Sequence, residues 1–266
     1  MDGIPPTDYS ILDRPEILRF LFHPRPEWAG PISGGVGKEM LIPVAESTAI
    51  GAKFHMADKK APSILFFHGN GEIVSDYDDF GPTYNRMGIN FLPVDYRGYG
   101  RSTGKPSVSA MLQDSHKLLD FVSDWLQRND YSGPLIVMGR SLGSASALEL
   151  AAKHKDRIHG LVVESGFAYA GPLLGLLGID VVSLGFREQE GFRNTDKIRL
   201  FDGPTLIIHA EGDQIIPFSD AQALYDHSGS EDKTLVKIPN AGHNDIFFSG
   251  LTIYMAAIKT FTNKLK

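Results

Sequence analysis

The chain has 266 residues, 42% of them hydrophobic and 22% charged, with a formal net charge of -6 and no cysteine. This is the composition of a globular protein of one domain, residues 1–266, and it excludes extended disorder. The acidic balance argues against nucleic acid as a partner, and the missing cysteines exclude disulfides, thiolate metal sites and a cysteine nucleophile.

At the start, Met1-Asp2-Gly3-Ile4-Pro5-Pro6 has no basic segment followed by an apolar one, so no signal peptide is read and a cytoplasmic location is expected. Asp13-Arg14-Pro15-Glu16 reads as a helix start, with Asp13 as the cap and proline in the first turn, and predicts a short helix through Phe22. Glu39 to Glu46 and Ala49 to Ala57, separated by a polar Ser-Thr pair, predict an antiparallel hairpin. From Ser63 the pattern alternates. Apolar runs at Ser63–Phe67, Asn90–Val94, Pro134–Met138, Leu161–Val163, Pro204–His209 and Thr234–Ile238 are separated by segments with helical periodicity. The clearest of these is Val108 to Arg128, with Met111, Leu118, Val122 and Trp125 on one face, and a last helix starts near Ile246. Such alternation predicts an α/β domain, a mostly parallel doubly wound sheet covered by helices on both faces.

The connection from Glu164 to Pro204 is longer than such folds need, and a lid insertion is expected at about 166–200. Its Pro172–Ile179 run and Val181-Val182 lack a polar face, so Leu173, Leu176 and Leu177 read as the wall for an acyl chain. Simple packing of these residues on the sheet is the alternative. Gly166 to Phe186 has the length of a membrane span, but its glycines and Pro172 and the strands on either side favour a covering segment.

Gly139-Arg140-Ser141-Leu142-Gly143 matches G-x-S-x-G, in which a serine sits on a strained turn between strand and helix. Gly100-Arg101-Ser102-Thr103-Gly104 fits the same pattern, so context decides. Lys105-Pro106 disfavours a helix after Ser102, whereas Ser141 follows the apolar run Leu135–Met138 and precedes small, helix-forming residues. Ser141 is therefore the expected nucleophile. An acid and a histidine should follow at the ends of later strands, and Asp213 and His243 stand there. Glu164 is a rival for the acid, and Asp245 reads better as the cap of the last helix. Of the remaining histidines, His209 lies inside a strand, and His23 reads as surface or core. The oxyanion donors are expected to be the N–H of Leu142 and that of Asn70 in His68-Gly69-Asn70-Gly71, with Gly71 as the fallback. Asp76–Gly81 looks superficially like a calcium loop, but Phe80 occupies a ligand position and Met87 stands where glutamate is needed, so no metal is expected.

Taken together, His68-Gly69-Asn70-Gly71, Asp95-Tyr96-Arg97-Gly98-Tyr99-Gly100-Arg101-Ser102, Gly139–Ser144 and Gly242-His243-Asn244-Asp245 resemble the α/β-hydrolase branch of Bem46-like proteins, with the ABHD13 and ABHD17 groups. The resemblance covers roughly residues 60 to 250. It implies a cofactor-free serine hydrolase with Ser141, Asp213 and His243 as its triad. The ABHD17 group removes fatty acyl groups from protein thioesters, but its cysteine-rich lipidated N-terminus, and the N-terminal membrane helix of other relatives, have no counterpart in this sequence. The expectation is thus a carboxylesterase or acyl-thioesterase acting on small or acyl-chain substrates, with no integral membrane segment. A peptidase-like serine hydrolase and a non-catalytic binding protein on a hydrolase scaffold are the alternatives. Acyl length, leaving group and oligomeric state depend on lid geometry and surface shape, which residue patterns do not encode.

Overall fold

The computed structural model describes residues 7–27 and 37–265; Met1–Pro6, on which the signal-peptide reading rests, lie outside them. Helix α1 (Pro15–Leu21) comes first, and the expected hairpin is antiparallel β1 (Lys38–Ala45) and β2 (Thr48–Phe54). Strands β3 (Ser63–Phe67), β4 (Asn90–Val94), β5 (Leu135–Arg140), β6 (Gly160–Glu164), β7 (Thr205–Ala210) and β8 (Lys233–Ile238) complete one sheet. Between and after them run α2 (Phe80–Arg86), α3 (Val108–Arg128), α4 (Ser144–Lys153), α5 (Ala170–Leu176), α6 (Asn194–Leu200), α7 (Phe218–His227) and α8 (Ile246–Lys264). The sheet order is β1-β2-β4-β3-β5-β6-β7-β8, antiparallel as far as β4 and parallel from there on. This is the α/β-hydrolase fold, with the mostly parallel sheet and antiparallel start expected.

The strands read as unbroken apolar runs because both of their faces are covered. Leu65, Phe67, Val137 and Val163 point into one core, shared with α3 and α4. Ile64, Phe66, Met138 and Val162 point into the other, where Tyr84 of α2 and Tyr254 and Ile258 of α8 pack. On α3, Met111, Leu118 and Val122 are buried, and Trp125 meets Phe54 edge-on with ring centroids 5.0 Å apart. Asp13 does not cap α1, whose N-cap is Arg14 with no side-chain bond. Its Oδ1 accepts instead from the Val108 amide at 2.7 Å, so it helps to cap α3, where Ser107 Oγ also accepts from the Ala110 amide. A carboxylate serves either helix start equally well, and tertiary packing delivers this one to the longer helix.

Residues 166–200 contain α5, irregular turns and α6. Within 166–186 the single α-helix is the seven-residue α5, and among the described residues no helix is long and apolar enough to cross a membrane. Because β3 lies between β4 and β5, the chain winds outward in opposite directions from this point. A crevice therefore opens beyond the C-terminal ends of β3 and β5, the usual ligand position in open α/β sheets.

Candidate active site

Strand β5 ends at Arg140, and the chain turns through a short 3-10 segment, Ser141–Gly143, into α4. Ser141 has φ +51°, a left-handed conformation that costs a non-glycine residue roughly 1–3 kcal/mol and persists where the surroundings enforce it. The two glycines show what enforces it. A Cβ on Gly139 would lie 2.2 Å from the Gly143 carbonyl oxygen, and one on Gly143 would lie 2.2 Å from that of Phe67. The turn closes tightly against β3, and Ser144 Oγ donates to the Ser141 carbonyl at 2.6 Å. Ser102 sits in no such turn, and its Oγ accepts from the Gly51 amide at 2.8 Å.

Ser141 Oγ lies 2.9 Å from His243 Nε2, and His243 Nδ1 lies 2.7 Å from Asp213 Oδ2. His243 arrives on the loop after β8 and Asp213 on the loop after β7, and both are buried. The other oxygen of Asp213 accepts from the amides of Ile215 and Ile216 at 2.9 and 2.8 Å. Burial would raise the Asp213 pKa, but the His243 bond and these amides outweigh it and hold the carboxyl below its ordinary range. His209 packs behind Asp213, its Nε2 bonded to the Ile216 carbonyl at 2.7 Å and 3.4 Å from Asp213 Oδ2.

Glu164, the rival acid, is turned elsewhere. Its Oε2 accepts from the Tyr254 hydroxyl at 2.7 Å and its Oε1 lies 3.2 Å from Arg140 Nε. Burial pushes its carboxyl up to about 7 against the pull of that guanidinium. Asp245 precedes α8, yet its carboxylate makes no cap bond to the helix amides. It accepts instead from the Gly242 amide at 2.5 Å and the Ser249 hydroxyl at 3.2 Å, closing the turn that carries His243.

A cavity of about 290 Å³ opens over Ser141 and His243, and Asn70, Leu142, Leu173 and Leu177 line it. Both residues expected to supply the oxyanion donors therefore border the cavity that holds Ser141. Asn70 is held by its side chain: Oδ1 accepts from the His23 amide at 2.8 Å and the Tyr99 hydroxyl at 2.7 Å, while Nδ2 meets His23 Nδ1 at 2.8 Å. Burial raises the pKa of the Tyr99 hydroxyl, and the amides of His23 and Gly71 act on it in the opposite sense. Leu176 lies apart from this cavity. It is 56% exposed and borders a second cavity of about 290 Å³ with Phe167, Pro172 and Ile216, which shares Leu173 and Ile215 with the first. Residue patterns missed His23, Glu72, Arg140 and Ile215 on the cavity wall, because none of them repeats at a strand or helix period.

A protein-family model described as Serine aminopeptidase, S33 (Hydrolase_4) matches residues 58–179 and 190–247. Bem46 of Schizosaccharomyces pombe is 29% identical over 196 residues, 69% of this chain and 62% of that protein. The human α/β-hydrolase domain-containing protein 17B is 29% identical over 213 residues, 76% of this chain and 66% of its own length. The chain thus matches somewhat less than two thirds of each of these two relatives. Among solved structures, an esterase of Pyrococcus furiosus superposes with TM-score 0.72 at 16% identity, covering 91% of this chain and 99% of that one. A monoglyceride lipase of Saccharomyces cerevisiae does so with TM-score 0.68 at 19% identity, covering 90% and 98%. With the family model matching more than half of the sequence and the fold agreeing, the chain belongs to the Hydrolase_4 family of α/β-hydrolases.

Proposed function

We propose that the protein is a serine hydrolase that cleaves carboxylic ester or thioester bonds through an acyl-enzyme. The observation that carries this reading is the line Asp213–His243–Ser141, with contacts of 2.7 and 2.9 Å ending on a serine at φ +51°. As Ser141 Oγ attacks the acyl carbonyl, His243 Nε2 takes its proton, and Asp213 stabilises the imidazolium through Nδ1. The N–H groups of Leu142 and Asn70 receive the negative oxygen; each such donor is worth roughly 10²–10³ in turnover. His243 returns the proton to the leaving group, then activates the water that releases the acid.

Leu173, Leu177 and Ile215 give the cavity an apolar side, and the adjoining cavity extends it along Phe167, Pro172 and Ile216. An acyl chain fits this side, and the polar leaving group then faces His23, Asn70 and Asn244. Cleavage of aminoacyl bonds would call for a free carboxylate near Ser141 to hold the substrate ammonium. The carboxylate on this cavity wall, Glu72, is already bound to the Gly69 amide, the Tyr77 hydroxyl and Arg140.

The test is labelling by a fluorophosphonate, together with initial rates on 4-nitrophenyl esters of increasing acyl length, an acyl-CoA thioester and an aminoacyl-4-nitroanilide. Labelling that is lost in Ser141→Ala and a rate maximum at medium acyl length are expected. Labelling that persists in Ser141→Ala would defeat the nucleophile assignment, and a preference for acetyl over octanoyl would defeat the acyl cavity.

A further inference from the structure

Arg140 fills the first variable position of the G-x-S-x-G turn, and its side chain is only 6% exposed. Burying a guanidinium is costly, and a strand end that merely needed volume would be filled more cheaply by an apolar residue. The guanidinium here reaches three separate segments. Nη2 donates to the His243 carbonyl at 2.8 Å, Nη1 lies 3.3 Å from Glu72 Oε1, and Nε lies 3.2 Å from Glu164 Oε1 at the end of the neighbouring strand β6. Glu72 passes the contact on, because its Oε2 accepts from the Gly69 amide at 2.7 Å and the Tyr77 hydroxyl at 2.6 Å. Gly69 lets the segments meet closely: a Cβ there would stand 3.0 Å from Glu72 Oε2 and 3.2 Å from Arg140 Nη1.

We infer that Arg140 is a positioning residue that ties the loop carrying Asn70 and the loop carrying His243 to the strand that carries Ser141. The inference rests on the serine-hydrolase reading above. The oxyanion donor and the base come from parts of the chain that are far apart in sequence, and both must meet the nucleophile within a fraction of an ångström. An error of about 1 Å in such a site costs on the order of a hundredfold in rate. One planar cation whose N–H groups point along fixed directions sets the two loops against a common reference, which a lysine ammonium on a flexible stem does not do.

The experiment compares Arg140→Gln, Arg140→Lys and Glu72→Gln with the wild-type protein. Active sites are counted by fluorophosphonate titration, kcat per titrated site and KM are measured on 4-nitrophenyl butyrate, and Tm is recorded. A merely structural Arg140 would lower Tm and the number of active sites but leave kcat per site unchanged. Positioning predicts a fall in kcat per site of about 100-fold in Arg140→Gln, with KM within about threefold of wild type, and no rescue by lysine. Glu72→Gln keeps an oxygen for the Gly69 amide and the Tyr77 hydroxyl but sets an NH₂ where the other oxygen faced Arg140 Nη1, so that contact is lost and a fall of about tenfold is expected. Folded Arg140 variants with kcat per site within twofold of wild type would overturn the inference. Should the Arg140 variants not fold, Glu72→Gln decides alone, and an unchanged kcat there overturns it. Wild-type protein that is neither labelled nor active would instead bring down the hydrolase reading itself.

Discussion

Replacing Asp213 by asparagine tests the proposed triad at its acid. Asp213 uses one oxygen to accept from the Ile215 and Ile216 amides and the other to face His243 Nδ1 at 2.7 Å. An asparagine has one oxygen and one NH₂. Placing the NH₂ toward the two amides would set donor against donor, so the oxygen stays there and the NH₂ must face Nδ1. Nδ1 is then forced to accept, the ring proton moves to Nε2, and the nitrogen 2.9 Å from Ser141 Oγ can no longer take the serine proton. The wrong tautomer lowers kcat by roughly 10⁴, or about 5 kcal/mol in the barrier, while the fold is preserved. The assay is kcat on a 4-nitrophenyl ester for Asp213→Asn beside Glu164→Gln, each normalised to folded protein by circular dichroism. Glu164→Gln leaves the Asp213–His243–Ser141 line intact and should keep kcat within about tenfold of wild type. If Asp213→Asn retains more than a tenth of wild-type kcat and Glu164→Gln does not, the acid is Glu164 and the geometric argument is wrong.

Glu164 carries a pH dependence of its own. Its carboxyl sits at about 7 in the fold against an ordinary 4.5, so the folded state favours the protonated form. That contribution is complete below about pH 4.5 and is lost as pH rises through 7, a change of about 3 kcal/mol. Wild-type Tm should therefore fall between pH 5 and pH 8 more steeply than that of Glu164→Gln, by roughly 6–10 °C, as read by differential scanning fluorimetry; parallel curves would refute it. Ser102→Ala removes the acceptor for the Gly51 amide and should cost about 1 kcal/mol in urea unfolding, with labelling and kcat as in wild type. A large loss of labelling would reinstate the second serine. Asp13→Ala should lower stability by about 1 kcal/mol through α3, with no change in kcat, and an unchanged urea midpoint would count against the cap.

Strands β3 and β4 were legible to the residue, because a strand buried on both faces writes an unbroken apolar run into the sequence. Helix α3 was legible for a related reason: its apolar stripe repeats at the helical period. Features that rest on one distant contact left no such pattern. Asp13 looked like the cap of its own helix, and only the packed structure shows its carboxylate reaching amides 95 and 96 residues away. Asp245 precedes its helix as expected, yet its carboxylate accepts from the Gly242 amide in the turn before it and from the Ser249 hydroxyl, and makes no cap bond to the helix amides.

The serine turn shows the same division within five residues. Gly139 and Gly143 are dictated by collisions of a side chain with backbone a few ångströms away, so any sequence that makes this turn must carry them, and the pattern can be read without a structure. Arg140 lies between them in a position the pattern leaves free. Its side chain answers to Glu72, 68 residues before it, and to the His243 carbonyl, 103 residues after it, and no local rule calls for arginine there. His23 is the same case on the other wall: its amide and ring hold Asn70 from 47 residues away. The proposed nucleophile could therefore be read from the sequence because local sterics require its neighbours. Arg140 and His23 could not, because each is specified by a partner that folding alone brings near.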